Sequence, residues 1–227
     1  MGTSKGYIAP TTIHWSQAKR AVSGFINNGD ESSCMTAASK FAGAMHHDIK
    51  ASASFASAAG NILSFARAVS HGGVNNALQH YNREDLIGKT SEEIFNELIN
   101  EFTNQGNSVE DYLSAEAISS ALRELNILEV EQLRDIEPEM LLKEMLIEYI
   151  KFSFAFRYEE KIRMKRSPAE TEKLISKMGK YISNELHSKL QLDDLKGVDF
   201  NHMEASNIVL NALEDAYRVF EMFYGEE

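Results

Sequence analysis

Apolar residues return at intervals of three and four in one segment of this chain after another, and no convincing apolar–polar alternation marks a strand. That period commits the chain to amphipathic helices. Trp15, Ala18, Val22, Phe25 and Ile26 share one face of a first helix beginning near His14. Asn27 to Ser33 then reads as a loop. Phe55, Ala59, Ile62, Phe65, Ala66 and Val69 form another stripe, which His71-Gly-Gly73 ends; a short helical turn through Val74, Leu78 and Tyr81 follows. Thr90-Ser-Glu-Glu93 fits a capping box ahead of Ile94, Phe95, Leu98, Ile99 and Phe102. Asn104 to Asn107 breaks that helix, and Tyr112, Leu113, Ala117, Ala121, Leu122 and Leu125 suggest the next.

Pro138 suits the first residue of a long helix carrying Leu141, Leu142, Met145, Leu146, Tyr149, Ile150 and Phe154. Ser167-Pro-Ala-Glu170 joins an N-cap, a proline at the first helical position and a capping-box glutamate, the strongest local signal in the chain. Leu174, Ile175, Met178, Tyr181, Ile182 and Leu186 follow it. Ile208, Val209, Ala212, Leu213, Ala216, Phe220 and Phe223 define a last helix. The expected fold class is all-α, a helical bundle with a flexible N-terminal tail. The expected divisions are a tail over 1–12, a helical and partly low-complexity region over 13–82, and the bundle proper over 83–227. Residues 35–59, rich in Ala and Ser, fit a helix with small packing residues and a low-complexity linker equally well. The charges from Glu159 to Arg166 read as the solvated face of the bundle.

Charge narrows the partners. The net charge is −11. Residues 1–80 carry six Lys/Arg against three acidic residues, and the remainder carries 17 against 31. A body at −14 repels a phosphate backbone, so direct nucleic-acid binding is not expected. The same charge, without a basic amphipathic helix, argues against a membrane-disrupting effector. A lone cysteine, Cys34, rules out an intramolecular disulfide and a cysteine-cluster zinc site. No run approaches the roughly 18 apolar residues of a membrane span, and no apolar signal region follows Met1. The expectation is a cytoplasmic protein with no membrane contact.

Residues suited to catalysis do not assemble into a motif. His46 and His47 are adjacent and diverge by about 100° on a helix, which suits chelation poorly. No His-Glu-x-x-His pair, phosphate-binding glycine loop or Gly-x-Ser-x-Gly elbow is present. Cys34 has no identifiable base beside it. The reading is no enzyme, no catalytic residue, no metal and no resident cofactor.

The N-terminus is more informative. Met1 precedes Gly2, whose small side chain favours methionine removal, so the mature chain is expected to begin at Gly2. Myristoylation requires Ser or Thr where this chain has Gly6, so that modification is not expected. A free α-amine with a pKa of about 7.7–8.0 is partly a neutral nucleophile near pH 7.

Gly2-Thr-Ser-Lys-Gly-Tyr7, Pro10 and Trp15 within Trp-Ser-Gln-Ala-Lys-Arg20 resemble the opening of QatB proteins of bacterial Qat anti-phage systems. Ala66-Arg-Ala68, Gly72-Gly-Val-Asn-Asn-Ala-Leu78, Asp85-Leu-Ile-Gly-Lys89 and Ser91-Glu-Glu-Ile-Phe-Asn-Glu-Leu98 extend the likeness, which covers roughly residues 1–125. The Ala/Ser-rich stretch departs from the Gly/Ser-rich linker frequent in that family. The resemblance implies a partner, the QueC-like enzyme QatC, and further Qat subunits. It also implies that the amine of Gly2 accepts a 7-deazaguanine acyl group, leaving a covalent 7-amido-7-deazaguanine. Gly2, Thr3, Ser4, Lys5, Gly6, Tyr7 and Trp15 are then the expected partner-binding residues, with Gly2 modified. The alternative is a helical adaptor that recruits other defence subunits with its tail unmodified.

Overall fold

The computed structural model describes residues 11–192 and 202–221, with side chains from 205 in the last helix. Eight α-helices fill these residues: α1 (Ile13–Asn28), α2 (Glu31–His47), α3 (Ala53–His80), α4 (Ser91–Phe102), α5 (Val109–Glu124), α6 (Pro138–Arg163), α7 (Pro168–Lys189) and α8 (His202–Glu221). Short 3₁₀ turns join several of them, and no strand occurs among the described residues. The all-α expectation holds. Residues 1–10 of the expected tail over 1–12 lie outside the described residues, as does Phe223, while Thr12 is the N-cap of α1.

Local chemistry sets the helix ends. Thr12 caps α1, and Thr90, Ser108 and Ser167 each form a full capping box with the acidic residue three positions on. The expected loop over Asn27–Ser33 is shorter than its composition suggested. Gly29 closes α1 in the left-handed region and Asp30 at once caps α2, accepting the Ser33 N–H at 2.7 Å. Glu31 to Ser33 are therefore the first turn of α2. The α3 backbone leaves helical geometry at Gly73, where φ is +76°, a conformation that strains any residue with a Cβ. The helix resumes through Val74 to His80 beyond the kink.

The Ala/Ser-rich segment is helix, with Ala37, Ala38, Ala42, Ala44, Ala56, Ala58 and Ala59 buried. Small side chains let α8 lie close against both α2 and α3. At Gly60 the approach is closest: a Cβ there would stand 3.1 Å from the backbone of Ala205 and Ser206. One cluster of buried residues runs from Trp15 to Phe220, and α6 contacts α3, α5, α7 and α8. Most residues of the apolar faces read from sequence are buried, while Val74, Tyr81, Phe102, Leu125, Ile175, Tyr181 and Ile208 are half-buried against the core; Tyr112 is 52% exposed and Ile118 takes its place in the α5 core face.

The charges of the α6 C-terminus depart from a simple solvated face. Lys161 Nζ donates to the Lys19 carbonyl at 2.9 Å and to Ser23 Oγ at 2.7 Å. Arg166 donates to the Ile26 carbonyl at 2.7 Å and to that of Asn27 at 2.9 Å, and Lys177 to that of Gly29 at 2.6 Å. The Lys19 carbonyl is in mid-helix, whereas those of Ile26, Asn27 and Gly29 lie at the C-terminal end of α1, where intrahelical donors run out and the helix dipole is negative. Arg166, just beyond α6, and Lys177 of α7 complete that end. Arg163 and Lys165 are exposed, as read.

Candidate functional site

Gly2 to Tyr7 lie outside the described residues, so Trp15 is the expected site residue that the structure positions. Thr12 Oγ1 accepts the Trp15 backbone N–H at 3.5 Å, so α1 starts three residues before the indole. The side chain is only 3% exposed. Its indole N–H donates to Asp48 Oδ2, and Phe41 meets the ring edge-on with centroids 6.3 Å apart. The Arg157 guanidinium stands 5.5 Å from the ring centroid, a cation–π distance. Trp15 thus fastens the start of α1 to α2, α6 and the turn between α2 and α3.

Behind Trp15 lies a polar cluster inside the core. Arg157, with its side chain nearly enclosed, donates to Glu110 Oε1 at 2.9 Å and to the Ser153 carbonyl at 3.1 Å. The Tyr149 hydroxyl lies 2.9 Å from Glu110 Oε2 and 3.0 Å from Ser52 Oγ, while its ring stacks on Phe55 with centroids 4.0 Å apart. Burial pushes the Tyr149 hydroxyl well above its ordinary pKa, and the neighbouring Tyr217 and Glu110 push the same way. Tyr217, wholly buried from α8, is raised by the same loss of water. Both phenols therefore stay protonated at neutral pH. Glu110 shares its two oxygens between Arg157 and Tyr149, so α5, α6 and the α2–α3 turn are cross-linked. What this cluster does chemically is hold the root of α1 in one place.

The remaining reactive side chains have structural partners. Cys34 is buried, its sulfur 4.0 Å from that of Met178, and loss of water pushes its thiol up to about 11. The thiolate is scarce at neutral pH. An alkylating reagent such as iodoacetamide is accordingly expected to label Cys34 at the rate of unfolding rather than of encounter. Rapid labelling of the native protein, followed by mass spectrometry, would contradict this burial. His46 pairs with Glu221 at 3.1 Å, whereas His47 stacks on His14 with centroids 4.3 Å apart, so the two neighbours diverge as expected. His187 reaches Glu144 at 3.0 Å. Among the described residues, no group of three or more His, Cys, Asp or Glu side chains is arranged to hold a metal ion. The His202 side chain is outside them.

Two grooves open on the surface. One, of about 920 Å³, lies between α4, α5 and residues 127–131, with Leu128 61% exposed at its edge. The other, of about 550 Å³, follows the α6–α7 seam past Lys151 and Gly179. Among the described residues, no helix is long and apolar enough to cross a membrane.

The sequence reading anticipated Trp15 and the apolar position of Tyr149, but not Glu110 or Arg157. A signal for Arg157 existed: it falls on the face of α6 shared by Tyr149, Ser153 and Phe154, where an unpaired charge would be costly. Glu110 carried none, because a first-turn glutamate is ordinarily explained by the helix dipole.

Comparison with known proteins bears on the same stretch of chain. No curated protein and no solved structure matches it. A family model described as Qat anti-phage system associated protein QatB matches residues 46–220, from the end of α2 through nearly all of α8. The match reaches well beyond residue 125, and it takes in Ser52, Glu110, Tyr149, Arg157 and Tyr217 while beginning after Trp15. With more than half its length matched, from the polar cluster to the last helix, the chain belongs to the QatB family of Qat anti-phage defence proteins.

Proposed function

We propose that this defence protein is a substrate rather than a catalyst. Once Met1 is removed, the α-amine of Gly2 accepts a 7-deazaguanine acyl group from a QueC-like partner, QatC. In that reaction the partner couples 7-carboxy-7-deazaguanine to ATP, forming an acyl-adenylate and releasing pyrophosphate. The Gly2 nitrogen attacks the acyl carbon, the amide forms, AMP leaves and the amine loses a proton. Glycine has no Cβ beside the attacking nitrogen, so it suits a narrow channel. Thr3 to Tyr7 bind as an extended strand through backbone hydrogen bonds, with Tyr7 as anchor.

The observation that carries this reading is the placement of Met1-Gly2-Thr-Ser-Lys-Gly-Tyr7 ahead of a helix whose first turn is locked by Trp15. Ten residues span at most about 33–36 Å when extended, enough to enter a partner while α1 stays in the core. Trp15, being enclosed, serves the partner indirectly by holding that root.

Intact mass measured on protein expressed alone and with its QueC-like partner tests the proposal. The expected result is an added deazaguanine acyl mass, mapped by fragmentation to Gly2, which disappears when one residue is inserted ahead of Gly2. An unmodified Gly2 beside a demonstrably active partner would reject it. The groove by Leu128 favours the second reading, an adaptor that recruits other subunits of the system. Deleting residues 2–10 keeps the Thr12 cap, and an adaptor would still protect cells without them.

A further inference from the structure

Helices α3 and α4 end alike, and their ends share a cleft. The C-cap of α3 is Tyr81 and that of α4 is Thr103. Each is followed by an asparagine in the left-handed region, Asn82 at φ +55° and Asn104 at φ +48°. Glycine is the usual residue at such a position, because it has no Cβ to strain. Both asparagines line a cleft of about 390 Å³, mainly polar, together with Ser57 of α3 and Glu101 of α4. Tyr81 and Phe102 form its aromatic part, with ring centroids 5.6 Å apart. His80 adds a third ring, its centroid 5.6 Å from that of Tyr81.

The walls are held from behind. Tyr81 packs edge-on against Phe65 with centroids 5.4 Å apart, and its hydroxyl donates to the Asn61 carbonyl at 3.4 Å. Asn104 Nδ2 donates to Asp111 Oδ1 at 3.4 Å, so its carboxamide oxygen is the acceptor left to a ligand. Glu101 Oε2 accepts from Arg83 at 2.6 Å, which leaves Oε1.

This chemistry selects a ligand. Among the described residues no lysine or arginine lines the cleft, and Glu101 opposes a phosphate or a carboxylate. Carboxamides offer donors and acceptors together, which suits a neutral molecule carrying both. Aromatic rings offer packing to a flat one. A nucleobase meets both conditions, and proteins that read single bases combine stacking with hydrogen bonds to the base edge. The carboxylate favours an edge rich in N–H donors, as in guanine and its 7-deaza analogues. A net charge of −11 opposes a phosphate-bearing strand but not a neutral base.

We infer that the α3–α4 cleft is a binding site for a neutral guanine-type base. The base arrives either free or attached to Gly2. The site stands without the conjugation reading above, and only the second source rests on it. Chain length permits that source. Ser57 lies nine residues past Asp48, about 16 Å by the rise of the 3₁₀ turn and of α3, and Asp48 accepts the Trp15 indole N–H. The ten residues ahead of Thr12 span at most about 33–36 Å.

The test is a proton–nitrogen correlation NMR titration of the full unmodified chain with 7-amido-7-deazaguanine and with guanosine, read at the side-chain amides of Asn82 and Asn104. Both amides should shift, with a Kd below about 1 mM. The variant Asn82→Gly/Asn104→Gly should bind about tenfold more weakly, two hydrogen bonds being lost. Glycine accepts a positive φ, so this variant keeps both helix ends, and matching circular dichroism melts check that it folds. No shift with either base, or equal affinities for wild type and variant, would overturn the inference. So would binding of methyl glucoside in place of the bases, because the cleft would then be a sugar site. Protein co-expressed with the QueC-like partner separates the sources. Amides already at their bound positions and indifferent to added base put the base of Gly2 in the cleft. Amides that respond to added base as before assign the site to free base. A Gly2 left unmodified beside an active partner would sink the conjugation reading, while the titration with free base still decides the cleft.

Discussion

Trp15→Ala is expected to destabilise the protein by about 3–5 kcal/mol, the range for removing a large aromatic side chain from a packed core. The indole is almost fully enclosed, so its contacts with Phe41 and Arg157 disappear together and a cavity opens beneath α1. Arg157 keeps its pairing with Glu110, which limits the damage to the α1 side of the cluster. Because Trp15 is the only tryptophan, the variant loses its intrinsic indole signal and must be followed by far-ultraviolet circular dichroism in urea. Trp15→Phe separates packing from polarity. It retains most of the buried surface and loses the N–H donated to the partly exposed Asp48, so the cost should be nearer about 1 kcal/mol. If Trp15→Ala melted like wild type while failing to bind a partner, the indole would be a contact surface and its burial here would be wrong.

The second large effect is expected at Gly60. In the middle of α3 a glycine costs roughly 0.5–1 kcal/mol relative to alanine, so its presence needs a compensating reason. That reason is the crossing with α8. A Cβ at Gly60 would press at 3.1 Å on the Ala205 carbonyl carbon and the Ser206 nitrogen, which are backbone atoms with no rotamer to change. Gly60→Val, with two further methyls, is expected to lose about 3 kcal/mol or more, toward the upper end for overpacking. Gly179→Ala is the natural contrast. A Cβ in that α7 position meets only the flexible Lys151 side chain at 3.5 Å, so it should stabilise by about 0.5–1 kcal/mol. Opposite signs in one set of denaturation curves would establish the α3–α8 approach; a stabilising Gly60→Val would refute it.

Periodicity placed most of the helices because each one buries a single stripe, and a stripe is written in consecutive sequence. The five residues assigned to the α1 face are its five buried residues. The capping boxes at Thr90 and Ser167 were equally legible, since cap and partner lie three residues apart. Residues 35–59 were not. Alanine and serine serve a close-packed helix and a loose linker alike, and the difference lies in α8, more than 140 residues later. Family membership shows the same division. Residues 126–220 carry none of the motifs on which the family resemblance was read, yet they belong to the matched span.

The candidate site divides in a similar way. Gly2 with its glycine- and tyrosine-bearing neighbours is a local signal, legible at once. The Glu110–Arg157–Tyr149 cluster joins residues 39 and 47 positions apart, and no local rule links them. The cations of the α6 end made the same point, since their exposure could not be read without knowing that the end of α1 lay beside them.

The sequence alone therefore determined the all-α class, most helix limits and the face each helix buries, because propensity, capping and amphipathic period act within a turn or two of the chain. Tertiary structure alone decided that the Ala-rich stretch is core and that Trp15 is enclosed against α2 and α6. It also decided that Lys161 and Arg166 end on backbone carbonyls of α1. Those outcomes depend on which helices meet, and that is set by desolvation, close packing and charge pairing between residues far apart in the chain.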